Sequence, residues 1–156
     1  MGGFYLGGFC YTFDMKYSDF LKTVTTCPFC ARHDDEIIID TEHAFLTYSL
    51  APYHKHHMLV VPKRHFSSFL ELTSLEMAEI DTLQKRALKI LQKLGYKNVS
   101  FMVREGDGSG KSIEHLHYHV IPDIQLGDGD HSGADRLILE EGERKALFSE
   151  LKSAAS

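Results

Sequence analysis

The sequence contains no tryptophan, only four prolines and only three cysteines. Cys10, Cys27 and Cys30 are odd in number and too few for the disulfide framework of a small secreted scaffold. No apolar run approaches the roughly 20 residues that span a bilayer, so no membrane partner is expected. Positive charge is not in excess. Lys and Arg number 17 against 22 Asp and Glu, a formal net charge of -5. A surface for generic nucleic-acid binding needs the opposite sign, so nucleic acid is not an expected partner either. The first residues, Met1 to Phe9, lack the basic region of a secretory signal, and Leu6 stands where a myristoylation pattern needs Ser or Thr. The expected location is the cytoplasm.

What is present is a chain of 156 residues, 43% hydrophobic and 25% charged, which suits one domain with one core. Residues 1–15 read as a flexible N-terminal extension and 16–156 as the domain. Short β-branched or alternating runs predict strands at 36–40, 44–48, 58–61, 99–103 and 116–121, the third and fifth stopped by Pro62 and Pro122. Thr73 and Glu76 match a capping box. Leu75, Ala78, Leu83, Ala87, Ile90, Leu91 and Leu94 then recur near helical spacing until Gly95, which predicts one long helix. A C-terminal helix is expected over 141–152. Two groups of strands around a long helix imply an α+β fold with a five-stranded, mostly antiparallel sheet.

The loop Gly106-Asp107-Gly108-Ser109-Gly110-Lys111-Ser112 imitates a phosphate-binding P-loop. That motif requires a glycine where Glu105 stands, and it must open a helix, whereas the residues from His115 alternate like a strand. The glycines still free backbone amides, and Lys111 adds charge that suits phosphate.

Ten histidines are the unusual count. His115, His117 and His119 alternate with Leu116, Tyr118 and Val120, which puts three imidazoles on one strand face and apolar groups on the other. Three readings fit: a polar sheet face, a tri-histidine metal site, or nucleophilic catalysis by one imidazole whose neighbours set its tautomer. His54 and His56 read as part of a solvated basic turn. Cys27-Pro28-Phe29-Cys30 is a CxxC, half of a metal site or a redox pair.

The triad His115-Leu116-His117-Tyr118-His119-Val120-Ile121 resembles the signature of the histidine triad (HIT) superfamily. Val60-Val61-Pro62-Lys63-Arg64-His65 resembles its strand-ending segment, and the capped helix and Gly-rich turn follow in family order. The likeness covers roughly residues 27–122. It implies a HIT-like fold and a nucleotide-binding hydrolase, in which His117 attacks the α-phosphate and His119 hydrogen-bonds the phosphate oxygens. His57 matches a histidine placed beside the triad. The resemblance also implies a structural zinc on Cys27, Cys30, His65 and His115, with His33 a competing ligand.

By the same resemblance, Ser49, Arg104, Lys111 and Ser112 stand at substrate-binding positions. Ser49 replaces the Asp or Asn that commonly meets the ribose, and Arg104 and Lys111 replace Asn and Gln near the phosphates. The extra positive charge suits a polyphosphate chain. The resemblance implies a purine nucleotide as substrate and a homodimer as assembly, and the added charge favours dinucleoside polyphosphates over phosphoramidates. The alternatives are a nucleotidyl transferase or phosphorylase of the same superfamily, and a non-catalytic nucleotide-binding adaptor.

Overall fold

The computed structural model describes residues 15–124 and 138–155. Most of the expected N-terminal extension, residues 1–14, lies outside the described residues. The elements run α1 (Tyr17–Thr23), β1 (Ile37–Asp40), β2 (Ala44–Tyr48), β3 (Met58–Pro62), α2 (Ser74–Lys93), β4 (Val99–Val103), β5 (Tyr118–Pro122) and α3 (Glu141–Ala154). The five strands form one sheet in the order β1-β2-β3-β5-β4, and every neighbouring pair is antiparallel. The expected α+β architecture, with its long helix and C-terminal helix, is the one observed.

The two faces of the sheet separate by the alternation of strand side chains. Leu46, Val60 and Tyr118 stand in register across β2, β3 and β5, and Met58 stands opposite both Tyr48 and Val120. These residues join Ile80, Leu83, Ala87, Ile90 and Leu91 of α2 and Leu147 and Leu151 of α3 in the main core. The other face carries Phe45, Leu59 and Val61, which pack with Phe29 in a second, smaller cluster. His119, paired with Leu59 and Met102, belongs to that second face. The helices thus back the sheet on one side and leave the histidine side for a site.

Helix α2 starts as its capping box requires. Thr73 Oγ1 accepts from the Glu76 amide at 3.2 Å, and Glu76 Oε2 accepts from the Thr73 amide at 2.8 Å. The helix stops in a Schellman turn: Gly95 takes φ +93°, its N–H bonds Gln92 O, and the Tyr96 N–H bonds Leu91 O. The inward stripe is Glu76, Ile80, Leu83, Ala87, Ile90 and Leu91. Leu75 and Ala78, expected on that stripe, are exposed. The spacing from Glu76 onward shows why: the capping glutamate itself occupies the inward position of the first turn.

Glu76 is only 3% exposed. The Arg64 guanidinium grips it at 2.9 and 3.0 Å, and this bond together with the Thr73 cap holds its carboxyl down to about 2 against the opposing effect of burial. A carboxylate depressed in the folded state stabilises above its unfolded pKa, and that stability is lost as pH falls through the folded value. Glu76→Gln is therefore expected to lower the unfolding midpoint at neutral pH and to flatten the acid limb between pH 4.5 and 2. Chemical denaturation at a series of pH values checks both effects.

Two expectations are corrected. His56 is not a solvated turn residue. It is buried, with Nδ1 2.6 Å from Tyr96 Oη and Nε2 2.9 Å from Glu150 Oε1 on α3. The polar tail of α3 and the turn after α2 supply the partners, and both lie far from His56 in sequence. Nor does the fifth strand begin at Leu116. The ladder with β3 and β4 starts at Tyr118, so His115 and His117 precede it.

Candidate functional site

The segment before β5 is held by bonds that replace a sheet ladder. The Leu116 amide donates to Phe66 O at 2.8 Å, while His115 Nε2–H donates to Pro62 O at 2.9 Å. Because a backbone carbonyl can only accept, His115 is fixed with its proton on Nε2 and its Nδ1 lone pair free to face the cysteines. That atom lies 3.4 Å from Cys27 Sγ and 3.5 Å from Cys30 Sγ, and His65 Nδ1 lies 3.2 Å from Cys30 Sγ.

The four ligand atoms of Cys27, Cys30, His65 and His115 all lie within 4.8 Å of one another. A tetrahedral ion with bonds of about 2.0–2.3 Å needs ligand separations of about 3.3–3.8 Å, close to those found. The cluster could hold a metal, and the expected ligand set is the one brought together. His33 stands outside it; its amide bonds Glu36 Oε2 at 3.4 Å at the start of a 3-10 turn.

His117 Nδ1 donates to His115 O at 2.8 Å, which leaves the lone pair on Nε2. Burial holds the His117 imidazole down to about 4, assisted by repulsion from His115, Lys111 and Arg104. It is therefore neutral near pH 7. Behind it lies a two-histidine relay. The Tyr53 amide donates to His57 Nδ1 at 3.2 Å, so the proton of His57 sits on Nε2 and is given to His119 Nδ1 at 2.9 Å. His119 in turn carries its proton on Nε2. The rings of His117 and His119 meet edge to face, with centroids 4.8 Å apart. Tyr53 stacks on His57 at 5.5 Å.

An open cleft lies over these rings, lined by His117, His119, Ser49, Arg104 and Ser112. Its apolar walls are Pro28, Phe29, Leu50, Ala51, Leu59 and Ile113, with Tyr17 and Phe20 from α1 at the rim. His57 does not line the cleft but supports His119 from behind, fully buried. Arg104 reaches across the Gly-rich loop: Nη1 donates to Gly110 O at 2.7 Å and Nη2 to Tyr53 Oη at 3.1 Å. Gly110 holds φ +75° beneath it, a backbone state that favours glycine. Ser112 Oγ lies 2.7 Å from Tyr17 Oη. Lys111 does not line the cleft; its Nζ bonds Ser67 O at 2.7 Å, although its charge still acts on His117.

Sequence reasoning missed Phe29, Arg32, Tyr53 and the α1 residues. Phe29 lies inside the CxxC and takes its place from the cysteines, with its ring 5.0 Å from that of His117. No local pattern marks Arg32 as buried, yet its side chain is 4% exposed beside Phe29 and Tyr48.

Fold and site define a class: a five-stranded antiparallel sheet backed by two helices, with a histidine relay facing a cleft and a cysteine–histidine cluster next to it. The family follows. The profile of the HIT domain matches residues 31–126, and the chain belongs to the HIT family. An uncharacterised HIT-like protein of Methanocaldococcus jannaschii is 32% identical over 108 residues, covering 67% of this chain and 83% of the relative. An adenosine 5'-monophosphoramidase of Schizosaccharomyces pombe is 28% identical over 132 residues, covering 82% and 97%. Among solved structures, a histidine triad nucleotide-binding protein of Sulfolobus tokodaii superposes with a TM-score of 0.68 at 24% identity, over 83% of this chain and 91% of the other. A bis(5'-adenosyl)-triphosphatase of Dictyostelium discoideum, 30% identical over 88 residues and covering 56% of this chain and 59% of the relative, is also similar.

Proposed function

We propose that the protein hydrolyses nucleotides at the α-phosphate through a covalent nucleotidyl intermediate on His117. One observation carries this reading: the His117 Nδ1 bond to His115 O, which presents a neutral Nε2 lone pair at the cleft. Nε2 attacks the α-phosphorus, an N–P bond forms, and the bond from phosphorus to the leaving oxygen or nitrogen breaks. The leaving group departs with a proton taken from the site or from water. Water then attacks the phosphorus and gives up a proton that replaces the one the leaving group took, the N–P bond breaks, and the nucleoside monophosphate leaves with His117 restored. Splitting one displacement into two lowers each barrier.

His119 Nε2–H donates to a non-bridging oxygen as charge builds there. His57 keeps His119 in that tautomer and is a positioning residue. Ser49 meets the sugar, and Ser112 meets the leaving group. Cys27, Cys30, His65 and His115 hold a zinc ion; when bound, it supplies a fixed cross-link between the CxxC segment and the catalytic strand. Reduced cysteines serving as ligands suit a cytoplasmic protein. The assembly is a homodimer, for which β4, at one edge of the sheet among the described residues, offers exposed Phe101 and Val103.

The preferred substrate is a dinucleoside polyphosphate. Arg104 lines the cleft beside the reacting phosphate, and the Lys111 charge acts on the same region. Truncating Arg104 should then cost more with a polyphosphate leaving group than with an amine. Arg104→Ala is expected to lower kcat/KM about 10–100-fold for a dinucleoside polyphosphate, as loss of a charge-assisted hydrogen bond does. The loss for a nucleoside phosphoramidate should be smaller. Equal losses on both substrates would sink the polyphosphate preference, and absence of turnover of either by the folded wild type would sink the hydrolase reading.

A further inference from the structure

Arg32 is a cation built into the apolar end of the cleft. It follows the CxxC by two residues, and its buried guanidinium sits 6.0 Å from the Phe29 ring centroid and 5.3 Å from that of Tyr48. Phe29 in turn is 5.0 Å from His117, so its ring neighbours both the reacting histidine and the guanidinium.

A guanidinium carries five N–H donors. Here Nη2 donates to Tyr48 O at 3.0 Å, and the nearest carboxylate, Glu36, approaches Nη1 only to 3.9 Å. Nε is buried without a hydrogen-bond partner. A buried cation with donors left over is costly unless a ligand completes it. The arginine lines the same cleft as His117 and His119.

We infer that Arg32 is a specificity-determining residue that selects a 6-oxopurine base, guanine or hypoxanthine, over adenine. The inference rests on the nucleotide reading of the cleft. A nucleotide whose phosphorus meets His117 extends its base along Phe29 toward Arg32, because the remaining walls there are apolar. Guanine presents two adjacent acceptors on one edge, O6 and N7, which a guanidinium fork meets with two donors. Adenine presents N7 beside the N6 amino donor, so one of the arginine donors faces another donor. A site built to hydrogen-bond one group strongly rejects the analogue that lacks it.

The test is binding to the whole wild-type protein by calorimetry, with GMP, IMP, 7-deaza-GMP and AMP as probes. GMP and IMP are expected to bind alike. AMP and 7-deaza-GMP, each of which loses half of the acceptor pair, should bind about 5–150-fold more weakly. In Arg32→Ile the ratio of GMP to AMP affinity should fall toward one without weakening AMP, which a merely structural arginine would not produce. The wild-type series stands even if the variant fails to fold. AMP bound as tightly as GMP, or more tightly, overturns the inference and leaves the hydrolase reading in place. Binding of none of the four overturns both.

Discussion

His117→Ala abolishes turnover while leaving the protein folded and able to bind nucleotide. The expected loss in kcat is on the order of 10⁴–10⁶-fold, the scale seen when a covalent nucleophile is removed. Three features make the loss this large. In the proposed mechanism the imidazole forms the N–P bond, its Nδ1 bond to His115 O fixes the attacking tautomer, and burial keeps it neutral. No neighbour takes over, since His119 carries its proton on the nitrogen it would need for attack and His57 lies behind it. His57→Ala, which frees His119 to change tautomer, should cost far less, on the order of 10–100-fold by analogy with other supporting residues. Steady-state rates on both variants check the order. Metal content measured alongside excludes a trivial cause, because His115 is two residues from the substitution.

Stripping the proposed zinc is expected to unfold the protein rather than merely stop it. The preparation should contain one equivalent of zinc per chain. The four ligands come from distant places: Cys27 and Cys30 before β1, His65 after β3 and His115 before β5. Binding free energy at such a site is folding free energy, because the unfolded chain does not hold the ligands together. Chelation, or Cys27→Ser, should therefore cost several kcal/mol and lower Tm by about 10 °C or more. A tri-histidine catalytic metal would behave differently, losing activity reversibly at unchanged Tm. The geometry argues against that arrangement: His115 Nε2 is committed to Pro62 O and its Nδ1 faces Cys27 and Cys30, so among the described residues His115 clusters with the cysteines and His65 rather than with His117 and His119.

The sheet and α2 were legible because each is specified locally. Short apolar or β-branched runs mark β1 to β4, and Thr73, Glu76 and Gly95 mark the ends of α2. The three triad histidines were legible as a group because alternate positions share a face. Their unequal backbone states were not. His115 and His117 keep the alternation while using side-chain bonds to Pro62 O and within the segment in place of a ladder, and that exchange leaves no mark in the sequence. The buried His56 and Arg32 were illegible for a related reason. A polar residue is buried by partners from other elements, here Tyr96 and Glu150 for one and Tyr48 and Phe29 for the other. Helix α1 has no side-chain cap, so its start carries no local signal, yet it brings Tyr17 and Phe20 to the cleft.

The central claim is the covalent step, and the most direct measurement is rapid acid-free quenching of turnover followed by peptide mass spectrometry. The account predicts a nucleotidyl adduct on the peptide containing His117, formed at least as fast as the first turnover and absent from His117→Ala. Full turnover with no adduct at any time, or an adduct on another residue, would contradict it.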